Sequence, residues 1–489
     1  MVRLVIASNV TADDPLLQKR PEPLFYVPPD HVSLRASLVV RTEFSPDDLD
    51  ETIKLFQGLI RIDTTNPPGN EGRAAEYLKM HFDGNGIDCE VLGEPGRENV
   101  MARINGRRER PRLLFESHTD VVPATGVGTW THPPFSAEIA DQWIYGRGAW
   151  DDKFDVAVQA MSLILLKRRN VRLNGTLLYA AVADEEGSGS GAAWLTRKMP
   201  EKVTAEYVVG EGGAPPIQLG KQKVYWITTG EKGLAWFKLT AKGKAGHGSI
   251  PTLANNASVM MAKAFINLSN LKTKVVIIDE VARAIRAAVT AFFGENGGSK
   301  IIDSQLNELG VDTILDTIAS KDKETAEELR ALTRMTISPN VIIGGTETNV
   351  IPGTCEGKVD IRLMPGQNRN YSIEIVKECV QGLDIDLDII DYTDASLSTS
   401  STKFYDVIEA TMEELAPGCS VLPRLSTGMS DSRFWRSLGS IVYGCVPMSP
   451  DITLADVLPG VHGVNERMNT KNLGFATQFL CDVATRVLS

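Results

Sequence analysis

Three apolar runs in this chain end abruptly in histidine or acid, and that recurrence limits the folds open to it. Leu113-Leu114-Phe115 leads through Glu116-Ser117 to His118-Thr119-Asp120. The run from Leu177 to Ala183 ends at Glu185 and Glu186, and Tyr207-Val208-Val209 ends at Glu211. Short apolar runs of this kind read as buried strands. His118 then sits at the carboxyl end of a strand, where open α/β sheets place their ligands. Asp120 can hydrogen-bond one ring nitrogen of His118 and leave the other for a metal. Two more candidates stand in glycine-rich loops: Asp151, in Gly146-Arg147-Gly148-Ala149-Trp150-Asp151, and His462, in Pro459-Gly460-Val461-His462-Gly463. Two imidazoles with four carboxylates suit two borderline cations such as zinc, and are too nitrogen-rich for calcium. Adjacent glutamates are commonly a solvated loop, but Glu185-Glu186 closes an apolar strand.

The remaining pattern lays out domains. Residues 1–44 carry several prolines and no clean period, and read as an extended N-terminal arm. Ser45-Pro46-Asp47-Asp48 starts a helix, with Ser45 as N-cap, proline in the first turn and acids against the helix dipole. Leu49, Ile53, Phe56 and Ile60 share one of its faces. A second helix is expected over Glu71–Phe82, with short strands near Cys89–Leu92 and Val100–Ile104. The apolar run Val156–Leu166, closed by Lys167-Arg168-Arg169, reads as a buried helix. Strands alternating with helices imply a doubly wound α/β sheet, over residues 45–222. From Lys223 the pattern becomes strand-helix-strand-strand-helix-strand, the split βαβ order. Its helices are expected near Asn256–Leu268 and Tyr371–Leu383. Extra helical material, Glu280–Phe293 and Glu324–Thr333, lies between Lys272 and Met335. Residues 398–489 return to the first domain and end in a helix, Leu473–Val487.

Composition excludes some classes. The 489 residues carry a net charge of −11, which disfavours nucleic acid or an anionic membrane as partner. No run reaches transmembrane length, and the start of the chain has too short an apolar core for a signal peptide. Six scattered cysteines without a Cys-x-x-Cys pair read as reduced thiols of a cytoplasmic protein. His81 lies on the polar side of its helix and reads as a solvated residue, and His31 and His132 show no ligand-like partners.

The ordered stretches SHTDVVP, GRGAWDDK, ADEEGSG, VVGEGG, AGHGSIP, NVIPG with DIRLMPG, and PGVHGVNE resemble those of the co-catalytic zinc hydrolases. That family includes carboxypeptidase S, glutamate carboxypeptidase, aminoacylase, acetylornithine deacetylase and succinyl-diaminopimelate desuccinylase. The resemblance implies a doubly wound zinc-peptidase catalytic domain, with a ferredoxin-like α+β lid and dimerisation domain inserted at 223–397. It implies two zinc ions per subunit, with cobalt or manganese as substitutes. Asp151 would bridge them; His118 and Glu211 would complete one site, Glu186 and His462 the other. Asp120 would orient His118, and Glu185 would take a proton from the attacking water. His247, in Gly246-His247-Gly248-Ser249, would stabilise the oxyanion, often from a partner subunit. Asn349 and Arg362 would hold a substrate carboxylate, and Gly428 and Asp431 would line the substrate pocket. The implied reaction is cleavage of a C–N amide bond beside a free carboxylate, in a small peptide or N-acyl amino acid. The alternatives are a dedicated biosynthetic deacylase and an inert metal-bound binding protein. The implied assembly is a homodimer, although segment 272–335 could instead cover the interface and leave a monomer. The chain departs from the family pattern at Phe154, where glycine is usual, and at Met429, where a smaller polar residue is usual.

Overall fold

The structure, a computed structural model, describes residues 44–489, and the chain forms two compact units. The larger runs to Thr229 and resumes over Ser398–Arg424 and Ser430–Ser489; the smaller holds Gly230–Leu397 and Leu425–Met429. Apart from Phe44, the arm expected over residues 1–44 lies outside the described residues.

The larger unit is built on a mixed sheet. Its strand order is Asp88–Glu94, Arg97–Ile104, Thr176–Val182, Arg112–His118, Tyr207–Gly210, Ile441–Gly444 and then Gln222–Glu231. The four strands from Thr176–Val182 to Ile441–Gly444 are parallel, and their neighbours on either side run antiparallel. Strands Thr176–Val182 and Arg112–His118 are buried at every position, as parallel strands covered on both faces must be. Helix Lys153–Arg168 explains its own burial. It is apolar nearly all round, so it must be covered on every side. It packs on helices Pro46–Arg61 and Thr470–Val487 and on strand Arg112–His118. Phe154, which replaces the usual glycine, is fully buried in this core.

Local signals set the helix ends. Ser45 and Asp48 form a capping box at helix Pro46–Arg61, Ser45 Oγ accepting from Asp48 N at 3.2 Å. The second helix spans Gly72–Gly84. His81 on it is half-buried rather than solvated, its ring 4.7 Å from that of Tyr77.

In the smaller unit four antiparallel strands lie in the order Thr336–Ile343, Thr354–Leu363, Gly233–Lys242, Ile385–Thr393. With helices Ala257–Asn270 and Arg369–Cys379 this is a βαββαβ chain path, with its own apolar core. Asn256 caps the first helix through Ser258 N and Val259 N. The second stops at Cys379, short of the expected Leu383, and Gly382 with φ of 80° turns the chain there. The extra material forms helices Asp279–Gln305, broken at Gly294 (φ 75°), Val311–Ala319 and Lys323–Leu332. Val311–Ala319 was not expected, although Val311, Ile314, Leu315 and Ile318 follow the i, i+3, i+4, i+7 rule and are all buried. Arg330 pairs with Asp312 and Asp316 and so ties the last two helices together.

All six cysteines are free and buried. Among the described residues no helix is long and apolar enough to cross a membrane.

Lys232 is buried in the smaller unit, where its ammonium donates to Ala331 O (2.9 Å), Arg334 O (2.9 Å) and Thr336 Oγ1 (3.1 Å). Burial, with the Arg362 charge second, lowers its pKa to about 7. The unfolded chain keeps a lysine near about 10.4. Between those values the unfolded chain binds a proton that the folded chain releases, so stability from this residue rises with pH. The Tm of the wild type minus that of Lys232→Met should therefore grow from pH 7 to pH 9. A difference that stays flat would mean the three acceptors keep the ammonium charged throughout.

Candidate metal centre and active site

The three apolar strands bring their polar ends to one edge of the sheet in the larger unit. His118 pairs in register with Val182, three residues before Glu185, and Phe115 with Val209, two residues before Glu211. The loop carrying Asp151 enters between them. Asp151 presents its two oxygens to two different imidazoles: His118 Nε2 lies 3.1 Å from Oδ1, and His462 Nε2 lies 3.0 Å from Oδ2. His462 Nε2 is also 3.2 Å from Glu186 Oε1, and His118 Nε2 is 4.0 Å from Glu211 Oε2. Ligand-type atoms of His118, Glu185 and Glu211 lie within 4.8 Å of one another, as do those of His118, Asp151 and Glu186. His118 is fully buried, whereas His462 is about half exposed.

Glycines permit these approaches. Gly213, with φ of 128°, passes so close to Val446 that a Cβ would lie 2.2 Å from its carbonyl oxygen. This seats the turn after Glu211. His462 itself has φ of 54°, and Asp184, just before Glu185, has φ of 66°. Both are left-handed conformations that non-glycine residues adopt only when their surroundings impose them.

Asp120 does more than the sequence suggested. His118 Nδ1 is 3.1 Å from the Asp120 main-chain oxygen and 3.4 Å from its Oδ1. The carboxylate also seats the neighbouring loop: Oδ1 accepts from Glu185 N (3.0 Å) and Oδ2 from Glu186 N (3.1 Å). Oδ2 also accepts from the amide of Asn66 at 2.8 Å. Asn66 donates to Asp184 as well, and its own oxygen accepts from Arg97, which pairs with Glu71 and Asp184. Asp152 Oδ2 accepts from His118 N at 2.9 Å. Glu466 accepts from Arg147 and from the main-chain N–H of Gly148, Trp150 and Asp151. The sequence reading assigned no site role to Asn66, Arg97, Asp152 or Glu466. Asp152 and Glu466 stand inside the motifs, whereas Asn66 and Arg97 lie outside them, and the partners of all four are remote in sequence.

The electrostatics are those of a site short of positive charge. Burial pushes Glu185 and Glu211 well above the usual carboxylate range, and for Glu211 the charge of Glu185 adds to it. Burial also works to raise Asp151, but hydrogen bonds from His118 and His462 outweigh it and hold its pKa low. Burial acts to lower His118, yet Asp120 and Asp151 hold it well above an ordinary histidine. Asp151 and then Glu186 push His462 up to about 10. Glu211 Oε2 is buried with no hydrogen-bond partner, a cost that a coordinated ion would remove. This donor set and that orphaned oxygen fit a pair of zinc-like cations.

The remaining predicted residues fall in two places. Asp431 is fully buried in the larger unit, and its charge raises the pKa of Glu185. His247, Asn349, Arg362 and Gly428 belong to the smaller unit. There His247 and Asn349 are adjacent: strand Gly246–His247 pairs with Val350–Ile351, and Gly248 N donates to Asn349 O at 2.7 Å. His247 Nδ1 accepts from Ser249. Arg362 is engaged by Asp360 through Nε (2.8 Å) and Nη2 (3.2 Å). Gly428 N donates to Ser426 Oγ. His132 has a partner after all, Glu138 at 2.6 Å, in an exposed pair with a single carboxylate.

Asn66→Ala would leave Asp120 and Asp184 facing each other without their shared donor. Metal affinity should fall about 10–100-fold, the usual cost of losing a group that supports the ligands. A chelator-competition titration measures it; unchanged affinity would confine Asn66 to a folding role.

The sequence matches the profile of Peptidase family M20/M25/M40 over residues 114–486. The Xenopus tropicalis N-fatty-acyl-amino acid synthase/hydrolase PM20D1 is 27% identical over 466 residues, covering 90% of this chain and 86% of that protein. The succinyl-diaminopimelate desuccinylase of Caulobacter sp. (strain K31) is 28% identical over 434 residues, covering 86% and 92%. Among solved structures, the M20 family metallo-carboxypeptidase Sso-CP2 from Sulfolobus solfataricus has a similar mixed α/β fold. Its TM-score is 0.66 at 20% identity, over 90% of this chain and 99% of that one.

Proposed function

We propose, from the premise that this chain belongs to Peptidase family M20/M25/M40 and is a metal-dependent amidohydrolase, that it cleaves a C–N amide bond beside a free carboxylate. The substrate would be an N-acyl amino acid or a small peptide. The observation that carries this reading is Asp151, whose two oxygens each face a different imidazole. A carboxylate can bridge two cations, and an imidazole cannot. Asp151 would hold both zinc ions, with His118 and Glu211 on one and Glu186 and His462 on the other. When bound, the pair would polarise the substrate carbonyl and acidify the attacking water.

Glu185 acts as the base. Its main chain is anchored on Asp120, and burial raises its proton affinity, which suits a group that takes a proton from water and passes it to the leaving nitrogen. His247 would donate to the carbonyl oxygen as it becomes an oxyanion. Asn349 and Arg362 would bind the substrate carboxylate. Asp360 holds the Nε and Nη2 side of the guanidinium, so the substrate would meet the Nη1 side.

PM20D1 acts, by its name, on N-fatty-acyl amino acids, and the Caulobacter relative removes a succinyl group. Both names concern an amide between an acyl group and an amino acid nitrogen, the bond that hydrolysis would break. A screen of N-acyl amino acids of varied acyl length and of dipeptides, with zinc, cobalt or manganese added, tests the class. Hydrolysis of none of them would overturn it.

Glu185→Gln should retain both metals yet lower kcat at least about 10²-fold; near-full activity would remove Glu185 as base. Asp151→Ala should lose metal and activity together, as elemental analysis and kinetics would report. The assembly we propose is a homodimer in which His247 serves the partner's site. Mixing inactive Glu185→Gln and His247→Ala subunits should then restore activity, up to about half the sites in each mixed dimer. Demonstrated subunit exchange without recovery would place the histidine in its own chain's service or outside catalysis.

A further inference from the structure

We infer that Glu466, with Arg147, is a positioning residue that sets the distance between Asp151 and His462 and so governs occupancy of one metal site selectively. The inference rests on the reading of Asp151, Glu186 and His462 as one of two metal sites.

The geometry begins with a strand pair. Strand Arg467–Asn469 pairs antiparallel with Trp143–Tyr145, Arg467 opposite Tyr145. The His462 loop therefore enters this pair at the place where the Asp151 loop leaves it. Gly146 N donates to Glu466 O at 2.9 Å. Beyond that point the Glu466 side chain replaces the ladder. Oε2 accepts from Arg147 Nη1 (2.6 Å) and Gly148 N (2.9 Å), and Oε1 accepts from Trp150 N (2.8 Å) and Asp151 N (3.1 Å). Arg147 completes the clamp by donating Nη2 to Gly463 O at 2.7 Å, beside His462. Both side chains of the pair are only 1% exposed. One carboxylate and one guanidinium thus tie the main chain at Asp151 to the main chain next to His462.

The His462 loop needs such a tie. His462 and Asn465 have φ of 54° and 59°, left-handed conformations that are uncommon outside glycine, although histidine and asparagine adopt them more readily than most residues. The loop folds so tightly on itself that a Cβ on Gly460 would lie 2.8 Å from Glu466 Cα. His118 and Glu211 have separate support. They end or follow strands that pair with each other, and His118 N is held by Asp152. Loosening Glu466 should therefore move His462 against Asp151 while His118 and Glu211 stay placed.

Glutamine keeps the shape of Glu466, but its amide nitrogen cannot accept the hydrogen bonds of Gly148 and Arg147. The test compares wild type, Glu466→Gln and Glu466→Asp after equilibration in chelator-buffered zinc, with zinc per chain from elemental analysis and folding from Tm and circular dichroism. At a free zinc level where the wild type holds two ions per chain, each variant should be folded and hold one. The missing ion should return only at about 10–100-fold higher zinc, and kcat should recover with it while KM stays near the wild-type value. Variants that hold two ions with unchanged affinity, or that lose both ions together, overturn the inference. So does failure of both variants to fold, which would make the pair a core brace. A wild type that never holds two ions would instead overturn the two-metal reading beneath it.

Discussion

One interaction recurs through the candidate metal centre: a carboxylate on one segment accepts the main-chain N–H of another. Asp120, on the His118 segment, accepts from Glu185 and Glu186. Asp152, on the Asp151 segment, accepts from His118. Glu466, on the His462 segment, accepts from Asp151. The His118, Asp151 and His462 segments thus each hold another segment by its backbone. A carboxylate gains from N–H donors what it loses on leaving water, and a charge-assisted hydrogen bond is stronger than a neutral one. The candidate ligand residues are thus positioned through their main chain.

The same arrangement concentrates negative charge. Asp120, Asp151, Asp152, Asp155, Glu185, Glu186, Glu211 and Glu466 all lie in or against the centre, and removing one charge from water without a partner is expensive. The chain answers in layers. Arg97 and Asn66 serve Asp120, Asp184 and Glu71 on one side, and Arg147 serves Glu466 on another. At the candidate centre His118 and His462 face the carboxylates, and Glu211 Oε2 is buried without a hydrogen bond. Cations at this candidate site would complete the balance and would link metal binding to the integrity of this sheet edge.

The smaller unit follows another logic. Its sheet presents one face to helices Ala257–Asn270 and Arg369–Cys379, and alternation along Thr354–Leu363 puts Cys355, Val359, Ile361 and Leu363 in that core. Arg362, one residue out of phase, falls on the opposite face beside Asp360, two residues away. An arginine fork held along one edge presents its other edge in a defined direction, which suits recognition of a planar carboxylate.

How much of this could be read beforehand depends on range along the chain. The buried strands, the caps of helices Pro46–Arg61 and Ala257–Asn270 and the buried helix after Asp151 were legible, because burial and capping write period, length and end signals into a few consecutive residues. The strand-end candidates were legible for the same reason: apolar runs that stop at His118, Glu185-Glu186 and Glu211 sit at the carboxyl ends of strands. Helix Val311–Ala319 carried its period and was passed over. The sequence by itself determined the chemical content of the centre, two imidazoles among carboxylates, and the fold class that gathers it. Only the tertiary structure decided which carboxylate serves which backbone N–H: that Asp120 seats the glutamate loop, that Asp152 holds His118, and that Glu466 reaches Asp151 across 315 positions of sequence. Hydrogen bonds have a reach of about 3 Å and no memory of chain separation, so such pairs leave no local pattern and exist only once the sheet has brought its strand ends together.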